Sequence, residues 1–167
     1  MAAAVQISEA SCHLRPAGIA DEPFLLELYA QTRAEELAQS GLDALQREVF
    51  VHMQFRARQI SYQAAYPLAT DEMICTDRGI PVGRVLVDRA EDGMRLVDIA
   101  IIAEQQRQGF GTQVIRELQH ECSARDWEIR LQVLKGSPAE RLYRRLGFRA
   151  VGEDPLRRQM VWDRTRV

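Results

Sequence analysis

Glycines at positions 109 and 111 lie in the segment 106–112, which joins an extended stretch ending in Ile101 and Ile102 to a helical spacing that opens at Phe110. Phe110, Val114, Leu118 and Cys122 recur as one face of a helix, whereas residues 95–102 read as a strand. A strand that turns into a helix through glycine leaves several N–H groups of the first helical turn without partners, all aimed at one place. That place suits an anion. Glycine at 109 and 111 keeps side chains out of the way, and the helix dipole adds about 0.3–1 kcal/mol of attraction for negative charge. Arg107 and Thr112 can add a charged contact and a hydroxyl. Taken alone, the same residues also describe a tight strand-to-helix connection. A P-loop is disfavoured because no Lys-Ser or Lys-Thr pair follows the glycines. A dinucleotide fingerprint is disfavoured because the third glycine is missing and the preceding strands read as antiparallel.

The periodicities elsewhere frame this loop. Residues 13–16 read as a first strand, after which Asp21 can cap a helix that has Glu22 and Pro23 in its first turn and fades near Ser40 and Gly41. Phe24, Leu25, Leu28 and Tyr29 face inward on it. Beyond the glycine, Leu42, Leu45, Val49, Met53, Ala57 and Ile60 predict a second helix with a single buried stripe, ended before Pro67. Three antiparallel strands follow over 73–76, 82–88 and 95–102, with turns at 77–79 and 91–93. After the helix from Phe110, Ile129, Leu131 and Val133 alternate with polar residues as a strand. Ser137, Pro138, Ala139 and Glu140 have the form of a capping box, opening a helix through Leu142, Tyr143 and Leu146 that Gly147 closes. Residues 148–151 and 159–162 supply two last strands.

A chain of 167 residues suits one folded domain, expected over 12–167 behind a loose tail over 1–11. Hydrophobic residues at 46% and charged residues at 28% are ordinary for a globular chain. Twenty-two basic against 24 acidic side chains leave a net charge of -2, so no global field attracts nucleic acid or membrane, and neither is expected as a partner. Cys12, Cys75 and Cys122 include no C-x-x-C pair, and His13, His52 and His120 form no ligand pattern with them. A reducing compartment and no metal are expected. The first ten residues lack the features of a signal peptide, and no apolar stretch approaches the roughly 20 residues of a membrane span, so a cytoplasmic protein is expected.

Two motifs carry a resemblance that covers nearly the whole chain. Gln106, Gly109 and Gly111 match the Gln/Arg-x-x-Gly-x-Gly/Ala pattern of the GCN5-related N-acetyltransferases. Ala139, Leu142, Tyr143, Leu146, Gly147 and Phe148 resemble that family's C-terminal signature, in the same order and at a similar separation. The resemblance implies the GNAT fold, an α/β (α+β) arrangement of a mixed, mostly antiparallel sheet with helices on both faces and two splayed strands at a coenzyme A site. It implies acetyl-CoA as cosubstrate and a primary amine as acceptor, attacked directly in a ternary complex. Residues 96–101 and 129–134 would be the splayed pair, with backbone groups of Ile99 and Ile101 bonding the pantetheine arm and Gln106, Arg107, Gln108, Gly109, Phe110, Gly111 and Thr112 holding the pyrophosphate.

The same resemblance implies two catalytic groups. Tyr143 matches a tyrosine that often protonates the departing thiolate, and a phenol's ordinary pKa near 10 is close to that of a thiol. Asp98 stands where a glutamate commonly accepts the amine proton. Strict alternation puts it on the side of Leu96 and Ala100, opposite Ile99 and Ile101. Being a methylene shorter, it favours a water relay. The chain departs from the usual pattern at Ala103, Arg107 and Gly136, the last of which replaces an asparagine that contacts the coenzyme or the splay. Tyr29, Glu35, Glu36, Tyr62 and Tyr66 are candidates to cradle the amine. A homodimer is suggested by Val161 and Trp162, which can extend or cover a sheet edge. A non-catalytic acyl-CoA-binding module is the reading of another class, and small-amine and protein acceptors both stay open.

Overall fold

Alternating apolar residues across the second half of the chain are realised as one twisted sheet in the computed structural model, which describes residues 11–164. The tail expected over 1–11 lies, save for Ser11, outside them. The strands are β1 Cys12–Pro16, β2 Thr70–Thr76, β3 Pro81–Ala90, β4 Gly93–Ile101, β5 Ile129–Leu134, β6 Arg149–Glu153 and β7 Arg157–Trp162. They lie side by side in the order β1-β2-β3-β4-β5-β7-β6. Every pairing is antiparallel except β4 with β5. The helices are α1 Glu22–Thr32, α2 Ala34–Gln39, α3 Ala44–Ala65, α4 Phe110–Arg125 and α5 Pro138–Arg145. The GNAT architecture implied by the motifs is the one observed.

Two cores sit on opposite faces of the sheet. One packs Val114, Ile115, Leu118 and Cys122 of α4 and Tyr143 of α5 against Val85, Val87, Met94, Leu96, Ile129, Leu131 and Met160. The other packs Leu25 and Tyr29 of α1 and Val51 and Phe55 of α3 against Met73 and Cys75. Each such side chain, fully buried, contributes about 1.5–3 kcal/mol, so the periodic faces of α4 and α1 are what fix those helices to the sheet.

Three local expectations are corrected. The helix expected from Asp21 to Ser40 is broken at Arg33, whose φ of -112° and ψ of 8° end α1 and start α2. Asp21 does not cap α1: its carboxylate accepts the Gly18 N–H at 2.8 Å and pairs with Arg15 at 2.6 Å. The stripe read as buried on α3 faces water, with Leu45, Val49, Met53 and Ile60 between 59% and 70% exposed. The face turned to the sheet instead carries Val51 and Phe55, followed at helical spacing by Arg58 and Tyr62. A reciprocal box at the start of α3, in which Asp43 accepts the Gln46 N–H and Gln46 accepts the Asp43 N–H, sets that register.

The sheet's edges are β1 and β6. Strand β7 lies between β5 and β6, with Val161 and Trp162 buried, so these residues present no edge to a second copy.

Candidate active site

Strands β4 and β5 start together and then part. The Met94 N–H donates to the Glu128 carbonyl at 2.9 Å, and the parallel pairing runs only from Met94 opposite Ile129 to Leu96 opposite Leu131. Beyond Leu96, β4 stays with β3 and β5 stays with β7, which opens a wedge between them. The edge of β4 that carries Ile99 and Ile101 therefore has no strand beside it there.

A bulge changes which side chains face the wedge. The ladder passes from Val87 opposite Leu96 to Leu86 opposite Asp98, leaving Val97 without a partner. One extra residue reverses the alternation. Leu96, Ile99 and Ile101 all meet the α4 core, while Asp98 points to the opposite face, toward α3. The expectation that Asp98 shares a side with Leu96 is thereby overturned.

At Asp98 the partner is Arg58, 2.8 Å away, with the two side chains 30% and 17% exposed. The guanidinium donates to the Tyr62 hydroxyl at 2.9 and 3.0 Å and lies over the rings of Tyr29 and Tyr62, 5.4 and 5.0 Å from their centroids. Burial works against its charge, yet Asp98 and the tyrosine oxygens outweigh that and raise its proton affinity. Next to it Arg84 is buried but fully compensated, donating to both oxygens of Asp71 at 2.6 and 2.7 Å and to Gln59 at 2.9 Å. Of the proposed amine-cradling residues, Tyr29 and Tyr62 are brought together by Arg58. Glu35 and Glu36 stand exposed on α2, the latter paired with Arg33, and Tyr66 closes α3. Sequence reading missed Arg58, since its signal, one cation on a stripe begun by Val51 and Phe55, emerges only once the inner face is known.

Tyr143 approaches from the other flank, on α5, which packs against β5. The ring is buried 5.4 Å from that of Phe148, and the hydroxyl has no hydrogen-bond partner among the described residues. Burial drives its pKa well above the ordinary phenol value, and the Asp98 charge drives it further, so the two groups sense each other across the wedge. The capping box expected ahead of α5 is half formed. Ser137 accepts the Glu140 N–H at 3.2 Å, but Glu140 turns to the Gly136 N–H at 2.7 Å and to Arg144 and Arg158 at 2.9 and 2.7 Å. The Gly136 N–H and the two arginines together hold the carboxylate away from the Ser137 N–H.

The glycine loop leaves the far end of β4. Gln106 folds back to donate to the Ile101 carbonyl at 2.9 Å, Gln108 donates to the Glu104 carbonyl at 3.1 Å, and the Ala103 N–H reaches Gln31 of α1 at 2.8 Å. Gly109 begins α4 with φ of 98° and no side-chain cap, and a Cβ built there meets nothing within 4 Å. The start of α4 thus has no capping side chain and has open space beside Gly109. Phe110 can take part only through its backbone, because its ring is in the core.

Residues 31–162 match the family model described as the Acetyltransferase (GNAT) domain. The chain belongs to the GNAT acetyltransferases. Among solved structures, the PaiA N-acetyltransferase of Thermoplasma acidophilum in complex with coenzyme A superposes with a TM-score of 0.65 at 16% identity, over 92% of this chain and 99% of that one. An acetyltransferase of Thermus thermophilus gives 0.66 at 18%, over 93% and 98%. A spermidine N-acetyltransferase chimera from Vibrio cholerae and hSSAT gives 0.64 at 17%, over 92% and 96%. At such identities the likeness speaks for the fold alone. No curated protein matches the chain.

Concavities of this GNAT chain lie around Asp88, Asp92, Arg95 and Arg130 and, beside the start of the wedge, across Leu131, Gln132 and Gln159. An extended arm needs a free strand edge rather than an enclosed cavity, so the wedge is the better site.

Proposed function

We propose that this acetyltransferase moves the acetyl group of acetyl-coenzyme A to a primary amine by direct attack, with both substrates bound together. The parting of β4 from β5 at Leu96 and Leu131 supports this most, because it sets a free strand edge between the uncapped start of α4 and the pair Tyr143 and Asp98. Residues fit the coenzyme in kind. Ile99 and Ile101 offer backbone groups to the arm's amides. Backbone N–H groups of Gln108, Gly109, Phe110, Gly111 and Thr112, with the Arg107 side chain, suit its pyrophosphate, and Gln106 braces that loop to β4. When bound, the coenzyme supplies a thioester as the acetyl donor.

The rest falls to the chain's own groups. Asp98 takes the proton the amine must lose, through a water, once it turns from Arg58. As the C–N bond forms and the C–S bond breaks, a backbone N–H at the Val97 bulge steadies the carbonyl oxygen. Tyr143 hydrogen-bonds the departing sulfur and supplies the proton that makes it a thiol. Its raised pKa makes it a weaker acid than an ordinary phenol but keeps it protonated, and so a donor, at every working pH. Residues 12–167 act as one catalytic domain in a reducing, cytoplasmic setting, where Cys12 and Cys122, each pushed up to about 11 by burial, stay as inert thiols. Among the described residues no helix is long and apolar enough to cross a membrane. Calorimetry with acetyl-CoA and thiol release across a panel of amines test the reading. Binding with no turnover of any amine or peptide would favour the acyl-CoA-binding module instead.

A further inference from the structure

We propose that the acceptor is a zwitterion, an amine carrying a carboxylate one or two carbons from its nitrogen, and that Arg58 recognises that carboxylate. This rests on the transferase reading above. In the acceptor side of the wedge the acid that must meet the amine is already paired with a cation at 2.8 Å. A polyamine or a simple alkyl amine arriving as an ammonium ion meets Asp98 with Arg58 beside it, two positive charges on one carboxylate. A zwitterion exchanges the internal pair for two new ones, ammonium with Asp98 and carboxylate with Arg58, and charge stays balanced throughout.

Two observations make Arg58 a receptor rather than a packing ion. Its guanidinium is oriented from behind, by the Tyr62 hydroxyl and the rings of Tyr29 and Tyr62, so it stays in place when Asp98 turns to the amine. Its neighbour Arg84 is saturated by Asp71 and Gln59, which leaves Arg58 as the cation with capacity to spare.

The experiment uses the full chain with acetyl-CoA and measures kcat/KM for the standard amino acids, each beside its carboxamide, with putrescine and spermidine as carboxylate-free amines. At least one amino acid should exceed its own amide and both polyamines by about ten- to a hundred-fold, the range of one charged hydrogen bond. In Arg58→Gln that ratio should collapse toward one through a raised KM, and Arg58→Lys should keep part of it. If Arg58→Gln fails to fold, Tyr62→Phe, which frees the guanidinium, should shrink the ratio in the same direction. Independently of turnover, NMR signals of the preferred amino acid should broaden with protein and coenzyme A present, and the broadening should vanish in Arg58→Gln. Amides or polyamines acetylated as fast as amino acids, or a ratio untouched by Arg58→Gln, overturn the proposal while leaving the transferase reading intact. Failure of acetyl-CoA to bind overturns both.

Discussion

The guanidinium of Arg58 sits 2.8 Å from the carboxylate of Asp98, so the acid facing the wedge is held by a cation from α3 before any acceptor arrives. Under the proposed reaction some group there takes a proton, because an alkyl amine with a pKa near 10.4 is mostly protonated at neutral pH and attacks only when neutral. In Asp98→Asn, kcat/KM should drop by about a hundred-fold at neutral pH and recover as rising pH deprotonates the amine in solution. Parallel pH profiles of equal height for mutant and wild type would remove Asp98 from the mechanism.

Tyr143 offers a cleaner separation of folding from catalysis. The residue is buried and no hydrogen bond ties its hydroxyl to another described residue, so removing that hydroxyl breaks no bond within the protein. Tyr143→Phe should therefore melt at the same temperature or higher and bind acetyl-CoA normally, yet transfer acetyl roughly 10²–10⁴ times more slowly. Turnover equal to wild type with the best amine would mean that the thiolate leaves unassisted.

Much of this architecture was legible because a few residues settle it. Gly109 and Gly111 between strand and helix, and the signature around Tyr143, pointed to the family and to its fold. The acceptor side was not legible. A helix with apolar residues on two stripes does not announce which one meets the sheet, so Leu45, Val49, Met53 and Ile60 looked as buried as Val51 and Phe55 are. Nor does any residue type mark the bulge at Val97, which alone decides that Asp98 faces Arg58. Asp21 and Glu140 were read as caps of the helices that follow them in sequence or contain them, but each turns to an arginine and an upstream backbone N–H, of Gly18 and Gly136, that spacing does not reveal.

Gly109 tests the loop. At φ of 98° a side chain is strained by roughly 1–2 kcal/mol, more for a β-branched one, and it would fill the open space beside the start of α4. Gly109→Val should keep native far-ultraviolet dichroism, lose a few degrees of melting temperature and abolish acetyl-CoA binding in calorimetry. Undiminished affinity would place the pyrophosphate elsewhere.

Acid should act on the fold through Asp21. Arg15, and then the Gly18 N–H, lower its pKa from the ordinary 3.8 to about 2. The folded state thus binds the proton less readily than the unfolded one, so the stability this group contributes is complete above about pH 4 and fades as pH falls toward 2. Denaturant midpoints followed from pH 6 to 2 should show that loss, and Asp21→Asn should start lower and lose less over the same range. Equal slopes in both proteins would assign the acid sensitivity to other carboxylates.

Gly83 links the fold to the proposed coenzyme site. It lies opposite Ile101 in the β3–β4 ladder, and a Cβ there would come within 2.3 Å of the Ala100 carbonyl oxygen and 2.7 Å of Ile101 Cδ1. The Ile101 methyl can swing aside, but the backbone oxygen cannot, so β4 itself must shift at the stretch proposed to bond the pantetheine arm. Overpacking of this kind costs about 1–3 kcal/mol. Gly152 is a matched control at the other edge of the sheet, since a Cβ there meets only the flexible Gln159 side chain, at 3.1 Å. Gly83→Ala should therefore melt lower and bind acetyl-CoA more weakly, measured by calorimetry at a temperature where it is fully folded, while Gly152→Ala keeps wild-type affinity. Should Gly83→Ala bind as tightly as Gly152→Ala, the end of β4 would not be what holds the arm.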